Sequence, residues 1–347
     1  MITQRTLFTS GSYGYHTFRI PSLLVTRTGH LLAFCEGRRN GGGDSGDIDI
    51  LLRRSDDGGQ TWSPLQTVWA DPGHTCGNPC PVVDRHSGAI SLLLTHNLGT
   101  DTEREIIDGE SEGTRTVWLT RSDDDGHTWS PPKNISQTTK ESHWTWYATG
   151  PGAGIQLHSG RLVIPCDHIE ANTKKYFSHV LISDDGGINW QLGGTTPEDQ
   201  VNECEVAELE DGRLLLNMRN YDPRQRARAH AYSTDGGLSW SSLERQSELI
   251  EPICQASLRR LDDSDGMKLL FSNPASEERR ERMTVRLSHD GGKTWPIARV
   301  LHPGPAAYSC LQAMPDGSAG CLYECGQDSP YEQICFAHFD RSWLGLA

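Results

Sequence analysis

No stretch of the chain approaches the apolar length that spans a bilayer, and Met1 to Leu7 carries no apolar segment of the signal-peptide kind. A soluble cytoplasmic protein is the expectation, with secretion left open. Also missing are a Pro/Ser-rich linker, a low-complexity tract and any amphipathic helical run of useful length, so nothing divides the 347 residues into two domains. Positive charge is in short supply. The 32 Lys and Arg residues face 46 Asp and Glu, a formal charge of −14, which argues against nucleic acid as a partner. The same balance leaves room for an anionic small ligand, which needs only a local cluster of cations in a cleft. The ten cysteines form no disulfide framework: they are scattered, and Cys35, Cys166 and Cys335 sit in apolar runs where a thiol packs as a small hydrophobe. Cys76-x3-Cys80 and Cys321-x3-Cys325 lack the second ligand pair of a zinc site, so no metal and no cofactor is expected.

What the chain has in quantity is repetition. Five times it carries S-x-D-x-G-x-T/S/N-W, at Ser55 to Trp62, Ser122 to Trp129, Ser183 to Trp190, Ser233 to Trp240 and Ser288 to Trp295. Each copy offers an Asp (Asp57, Asp124, Asp185, Asp235, Asp290) to bond nearby amides, a Gly for positive φ and a Trp to bury. The copies lie about 50 to 67 residues apart, the spacing of a radial array of small β-sheets. Out of phase with them run six turn dipeptides, each followed by an apolar stretch: Thr28-Gly29, Ser87-Gly88, Ser159-Gly160, Asp211-Gly212, Asp265-Gly266 and Asp316-Gly317. Six hairpins and five boxes leave the last unit short of its final strand. An N-terminal strand near Leu7 to Ser10 would complete it and remove the open edge. The expectation is an all-β, six-bladed β-propeller with four antiparallel strands per blade, one domain over residues 1–347, its last blade closed by the N-terminal strand.

Arg19, in Phe18-Arg19-Ile20-Pro21, interrupts an apolar strand start and precedes a proline that limits the strand. Alone it reads as a surface arginine at a strand end. Followed by the repeated boxes, this Arg-Ile-Pro run resembles the sialidase (neuraminidase) family, whose Asp-box (BNR) repeats accompany a six-bladed propeller, and the resemblance extends from Phe18 to the region of Tyr308. It implies a retaining exo-glycosidase that hydrolyses terminal α-linked sialic acids on glycoconjugates through a tyrosyl-enzyme intermediate, with a sialylated glycan as substrate.

That chemistry asks for particular side chains. The sugar carries a carboxylate on its anomeric carbon, and guanidinium groups bind carboxylate in bidentate fashion. The resemblance assigns the three arginines to Arg19, Arg219 in Leu216-Asn-Met-Arg-Asn220, and Arg280 in the run Glu277 to Arg282, with Arg279 and Arg282 as competitors in a charged loop. A carboxylate nucleophile would approach a carbon already bearing an anion; the family uses a tyrosine, here Tyr308. A phenol needs a base, and Glu203 takes that role by resemblance. Glu205 competes because alternate residues share a strand face, whereas Glu208 faces the other way in a regular strand; a bulge would break that parity. The acid/base is Asp44, in the glycine-rich stretch Glu36 to Asp49, where closure over the sugar would desolvate the carboxyl and raise its pKa. Asp47 and Asp49 lie nearby; Asp49, which enters the strand running to Leu52, is structural, and Asp47 stays a competitor. Arg38 matches a further pocket arginine, with Arg39 as its rival.

Gly77 to Pro81, Tyr147 to Gly152 and Pro165 to His168 resemble stretches at blade tops that shape the pocket around the glycerol and N-acyl arms, without individual roles. His168 is superfluous as a base once Asp44 and Glu203 are assigned. A non-catalytic glycan-binding propeller would lose Tyr308, Glu203 or Asp44, all of which are present. A relative acting on another nonulosonic acid, such as the deaminated sialic acid, would keep the arginines and the Tyr/Glu pair and change the walls around the N-acyl arm. Trans-sialidase and anhydro-product forms stay open from sequence.

Overall fold

The computed structural model describes residues 1–263 and 265–346. These form β-structure that is antiparallel but for one bridge, with three short helices, Glu103–Asp108, Ser136–Thr139 and Arg341–Leu344, among the described residues. The hairpins fall where the turn dipeptides place them. Thr28-Gly29 joins strand Thr17–Val25 to Leu31–Arg38, Ser87-Gly88 joins Thr75–Val83 to Ile90–Asn97, and Asp211-Gly212 joins Val201–Glu208 to Leu214–Asn220. In each of the first five units a third strand follows, then a box, then an outer strand, whereas in the sixth the third strand pairs directly with Ile2–Thr9. In the fourth unit, for example, Ala227–Ser233 leads through the box at Asp235 to Glu244–Ile250.

Counted by hydrogen bonds, the strands make four sheets of seven, five, four and eight strands. Two local continuities merge units that the repeat counts separately. A single parallel bridge, Ile48 to Thr75, links the first two units, and the long strand Ile297–Ala313 is the last strand of one unit in its first half and the first strand of the next in its second. The N-terminal strand Ile2–Thr9 is longer than the sequence led us to expect and pairs antiparallel with Gln333–Phe339, from Ile2 opposite Phe339 to Thr9 opposite Gln333. Both ends of the chain thus share a ladder.

Every letter of the box has a structural use. The Ser hydroxyl donates to one Asp oxygen and accepts the amide of the Gly; that oxygen also accepts the amide of the Thr, Ser or Asn, and the second Asp oxygen accepts this residue's side chain. In the fourth box the four contacts are 2.7, 2.9, 3.0 and 2.5 Å. Gly187, in the third box, stands at φ 80°, and a Cβ there would collide with Ser91 Oγ. Trp190 and Trp295 are buried against the neighbouring strands, where a Trp→Ala change costs about 3–5 kcal/mol. All ten cysteines are free and buried; Cys76 and Cys80 pack in separate core clusters rather than converging.

The first strands of the units meet around a polar centre. Glu205 accepts hydrogen bonds from Ser257 Oγ (2.8 Å), the Leu258 amide (2.6 Å) and the Ala153 amide (3.2 Å), and Arg259 donates to the carbonyls of Gly154, Ala153 and Leu311 at 3.1 to 3.2 Å. Glu205 is therefore committed to holding three units together.

The box carboxylates set an acid limit on stability. Asp57, Asp124 and Asp235 are held down to about 2, Asp57 mainly by the Thr61 hydroxyl, the other two by side-chain and backbone donors that outweigh their burial. Their folded values lie below the unfolded value near 4, so the stability they supply is complete above about pH 4 and is lost as pH falls toward 2. Asp235→Ala should lower Tm by about 1–3 °C at pH 7, by analogy with loss of a capping Asp, and leave the near-UV circular dichroism unchanged. The deficit should shrink when Tm is measured near pH 3.

Candidate active site

Bulges shape the upper ends of the first strands. The register of Thr17–Val25 against its neighbour shifts between Arg19 and Ser22, that of Thr75–Val83 between Gly77 and Cys80, that of Val201–Glu208 between Val201 and Cys204, and that of Ile297–Ala313 between Ala306 and Ser309. At each shift a residue leaves the alternating pattern and faces a cavity of about 230 Å³: Ile20, Asn78, Glu203 and Tyr308. Ile20 and Asn78 take φ of 58° and 52°; for a β-branched residue this costs about 1–3 kcal/mol, so the surroundings must hold it. They do so with carboxylates. Glu324 accepts the Ile20 amide at 2.9 Å and the Tyr308 amide at 3.0 Å, and Glu36 accepts the Asn78 amide at 2.8 Å.

The same cavity collects every residue that the sequence singled out for a role: Arg19, Arg38, Asp44, Glu203, Arg219, Arg280 and Tyr308 all line it. The Tyr308 hydroxyl donates to Glu203 Oε1 at 2.5 Å, and Arg219 Nη1 donates to Glu203 Oε2 at 2.7 Å and to the Tyr308 hydroxyl at 3.2 Å. The guanidinium carbons of Arg19 and Arg280 lie 4.9 and 5.6 Å from the Tyr308 ring centre. Burial pushes the Tyr308 phenol well above its ordinary value, and the Glu203 charge adds to this against the pull of Arg219, Arg280 and Arg19. The phenol is accordingly a protonated group with an acceptor already in place.

Each arginine is anchored on one side. Arg19 Nε donates to Glu324 at 2.8 Å while its Nη2, buried, makes no hydrogen bond within the chain. Arg280 Nη1 donates to the Tyr331 hydroxyl at 2.7 Å. Arg38 Nη2 donates to Glu36 and to Asp44, both at 2.7 Å, and Nη1 to the Gly42 carbonyl at 2.6 Å. The rivals lie elsewhere: Arg279 and Arg282 are exposed, and Arg39 turns away to Asp49 at 2.6 Å. Asp49 also accepts the Tyr15 hydroxyl at 2.6 Å, a structural use. His168 stacks on Trp144 with ring centres 3.5 Å apart and contacts His179, away from the cavity. Glu208 accepts from His158 on the outside.

One expectation is not met in this geometry. Burial does push the Asp44 carboxyl up, but Arg38, followed by Arg19 and the Arg38 hydrogen bond, outweighs it and holds the group below the ordinary carboxylate range. The loop leaves Asp44 half exposed and paired with a cation, so the desolvation expected from closure over a sugar is not the governing influence here.

Several residues of the site escaped the sequence reading: Glu36, the buried Arg115, Glu103 from the first helix and Asn202 in the cavity lining, and Glu324, which holds Arg19; Asp167 lies in the stretch Pro165 to His168 but carried no role of its own. Glu324 and Glu36 did leave a trace, since each is a lone charge inside an apolar strand, as Arg19 is.

Residues 29–321 match the family described as "BNR repeat-like domain". The chain is 36% identical to the sialidase of Micromonospora viridifaciens over 367 residues, covering 99% of this chain and 55% of that protein, so it spans about half the length of that relative. It is 33% identical to sialidase-3 of Homo sapiens, covering 93% of this chain and 89% of that one. The solved structure titled "Hadza microbial sialidase Hz136" superposes with a TM-score of 0.90 at 31% identity, covering 99% of this chain and 69% of that one.

The buried Glu324–Arg19 pair can be tested without any ligand. Glu324→Gln leaves Arg19 charged and uncompensated and should cost about 3 kcal/mol in urea unfolding; adding Arg19→Gln should recover part of that loss. Strict additivity of the two changes would show that the pair is not coupled.

Proposed function

Since the chain belongs to the sialidase family, we propose that it is a retaining exo-glycosidase that hydrolyses terminal α-linked sialic acids from a sialylated glycan. The observation that carries this reading is the Tyr308–Glu203 contact of 2.5 Å inside a cavity flanked by Arg19, Arg219 and Arg280. We further read the chain as a single catalytic domain with a six-bladed β-propeller architecture. What supports this is the set of six hairpins and five boxes, and the pairing of the N-terminal strand with the last one.

In the reaction, Arg19, Arg219 and Arg280 clamp the substrate carboxylate. Arg219 also bonds Glu203 and Tyr308, so carboxylate binding and nucleophile alignment share one guanidinium. Asp44 protonates the glycosidic oxygen as it departs. Its pairing with Arg38 means that it must first pick up a proton, and a substrate carboxylate entering beside Arg19 shifts it that way by neutralising one of the charges that hold it down. Tyr308 gives its proton to Glu203 and its oxygen bonds the anomeric carbon, with the developing positive charge of the ring balanced by that oxygen and by the substrate's own carboxylate. Asp44, now ionised, takes a proton from water, which attacks the same carbon and breaks its bond to Tyr308, whose oxygen takes its proton back from Glu203. Two inversions give retention.

Tyr308→Phe should remove nearly all turnover of an aryl sialoside while preserving sialic acid binding by calorimetry; full activity sinks the nucleophile assignment. Asp44→Asn should depress kcat on poor leaving groups about 100-fold more than on activated aryl sialosides, the range of general-acid contributions. NMR should show the α-anomer as first product, and initial β-anomer rules out double displacement.

A further inference from the structure

Besides the three arginines, the cavity lining holds residues with buried polar atoms that find no partner in the chain. Asp167, on strand Leu162–Glu170 and 1% exposed, leaves Oδ2 without a hydrogen bond. Asn202, beside Glu203 in the bulge and 8% exposed, leaves Oδ1 likewise. Arg115, 2% exposed, uses Nη2 for Asn78 (2.6 Å) and Thr95 (3.1 Å) but leaves Nε and Nη1 unmatched. Three neighbouring residues so deeply buried, with acceptors and donors both unsatisfied, are a built site for a group that can donate and accept.

We propose that Asp167, with Asn202 and Arg115, reads a hydroxyl on the sugar ring, and that these residues make the enzyme select a nonulosonate bearing a hydroxyl over one bearing an N-acyl group at the same carbon. The proposal rests on the sialidase reading above and names the substrate variant within it. The argument is one of complementarity. A hydroxyl donates to Asp167 Oδ2 or Asn202 Oδ1 and accepts from Arg115. An acyl group brings a methyl that needs an apolar wall, and the rings of Trp146 and Tyr221 in this lining already face guanidinium groups: Arg115 lies 3.9 Å from the Trp146 centre and Arg219 4.8 Å from that of Tyr221. Ala148 is a small apolar residue of the same lining. A methyl set against buried, unmatched polar atoms leaves them without partners, which is how such sites reject the wrong group. Burial, with the Glu203 charge second, raises the Asp167 carboxyl well above the usual range against the pull of Arg115 and Arg219, so it is able to donate as well as accept.

The test is kcat/KM for the aryl glycosides of deaminated and N-acetylated sialic acid, measured on one preparation so that the folded fraction cancels in the ratio. The wild-type protein should favour the deaminated substrate about tenfold or more. Asp167→Leu, which supplies an apolar wall, should reduce that ratio about tenfold, chiefly through KM, and Asp167→Asn, which retains an acceptor, should keep most of it. A wild-type preference for the N-acetyl substrate overturns the inference and leaves the sialidase reading standing, as does an unaltered ratio in Asp167→Leu. If neither glycoside is turned over, both fail together.

Discussion

Buried carboxylates that accept the amides freed by strand bulges are the contacts on which the site depends. A bulge drops a residue out of the ladder and leaves its N–H without a carbonyl, a deficit of about 1–3 kcal/mol if nothing replaces it. At Ile20, Asn78 and Tyr308 the replacement is a glutamate that also holds an arginine, and a third such glutamate serves the strand paired with the Val201–Cys204 bulge. Glu324 takes the amides of Ile20 and Tyr308 and pairs with Arg19; Glu36 takes Asn78 and pairs with Arg38; Glu251 takes Asn220 at 2.7 Å and pairs with Arg228 at 2.6 Å. Taking a carboxylate out of water costs several kcal/mol, and only this density of charge-assisted bonds offsets it. The backbone distortion and the cation are therefore fixed by one group.

The arrangement gives a cation cluster to a protein of formal charge −14. Arg19, Arg38, Arg115, Arg219 and Arg280 share one small cavity, and their mutual repulsion is tempered by Glu324, Glu36 and Glu203. Because each guanidinium is held from behind, an anion entering the cavity meets donors already oriented. Little reorganisation remains to be done at the moment of binding, the condition under which such dipoles and charges act most strongly.

The box and the hairpins were legible because they are local: Ser, Asp, Gly and Thr within eight residues satisfy one another, so their spacing is visible along the chain. The proposed catalytic groups were legible by resemblance, and Glu203 illustrates why residue pattern alone fell short. Strand parity would put Glu203 and Glu205 on one face; the bulge between Val201 and Cys204 separates them, sending one to the cavity and the other to the centre. Arg115 was not legible, and Asp167 only as part of the stretch Pro165 to His168, since what marks them is single polar atoms left unmatched after folding. The four-sheet hydrogen-bond pattern was also hidden, because it turns on a single bridge between Ile48 and Thr75 and on one strand running through two units.

The ladder between Ile2–Thr9 and Gln333–Phe339 bears on biosynthesis. Residues 2–9 leave the ribosome well before their partner strand, so at about 5–20 residues per second they wait on the order of tens of seconds. Throughout that interval an unpaired strand is open to any other edge it meets. Its composition suits the wait: Thr3, Gln4, Arg5 and Thr6 stay exposed even in the finished protein, and only Leu7 and Phe8 enter the core. A polar, singly charged edge is a poor template for a second chain, so the residues that pair with Gln333–Phe339 in the finished protein also disfavour pairing of the nascent molecule with its neighbours.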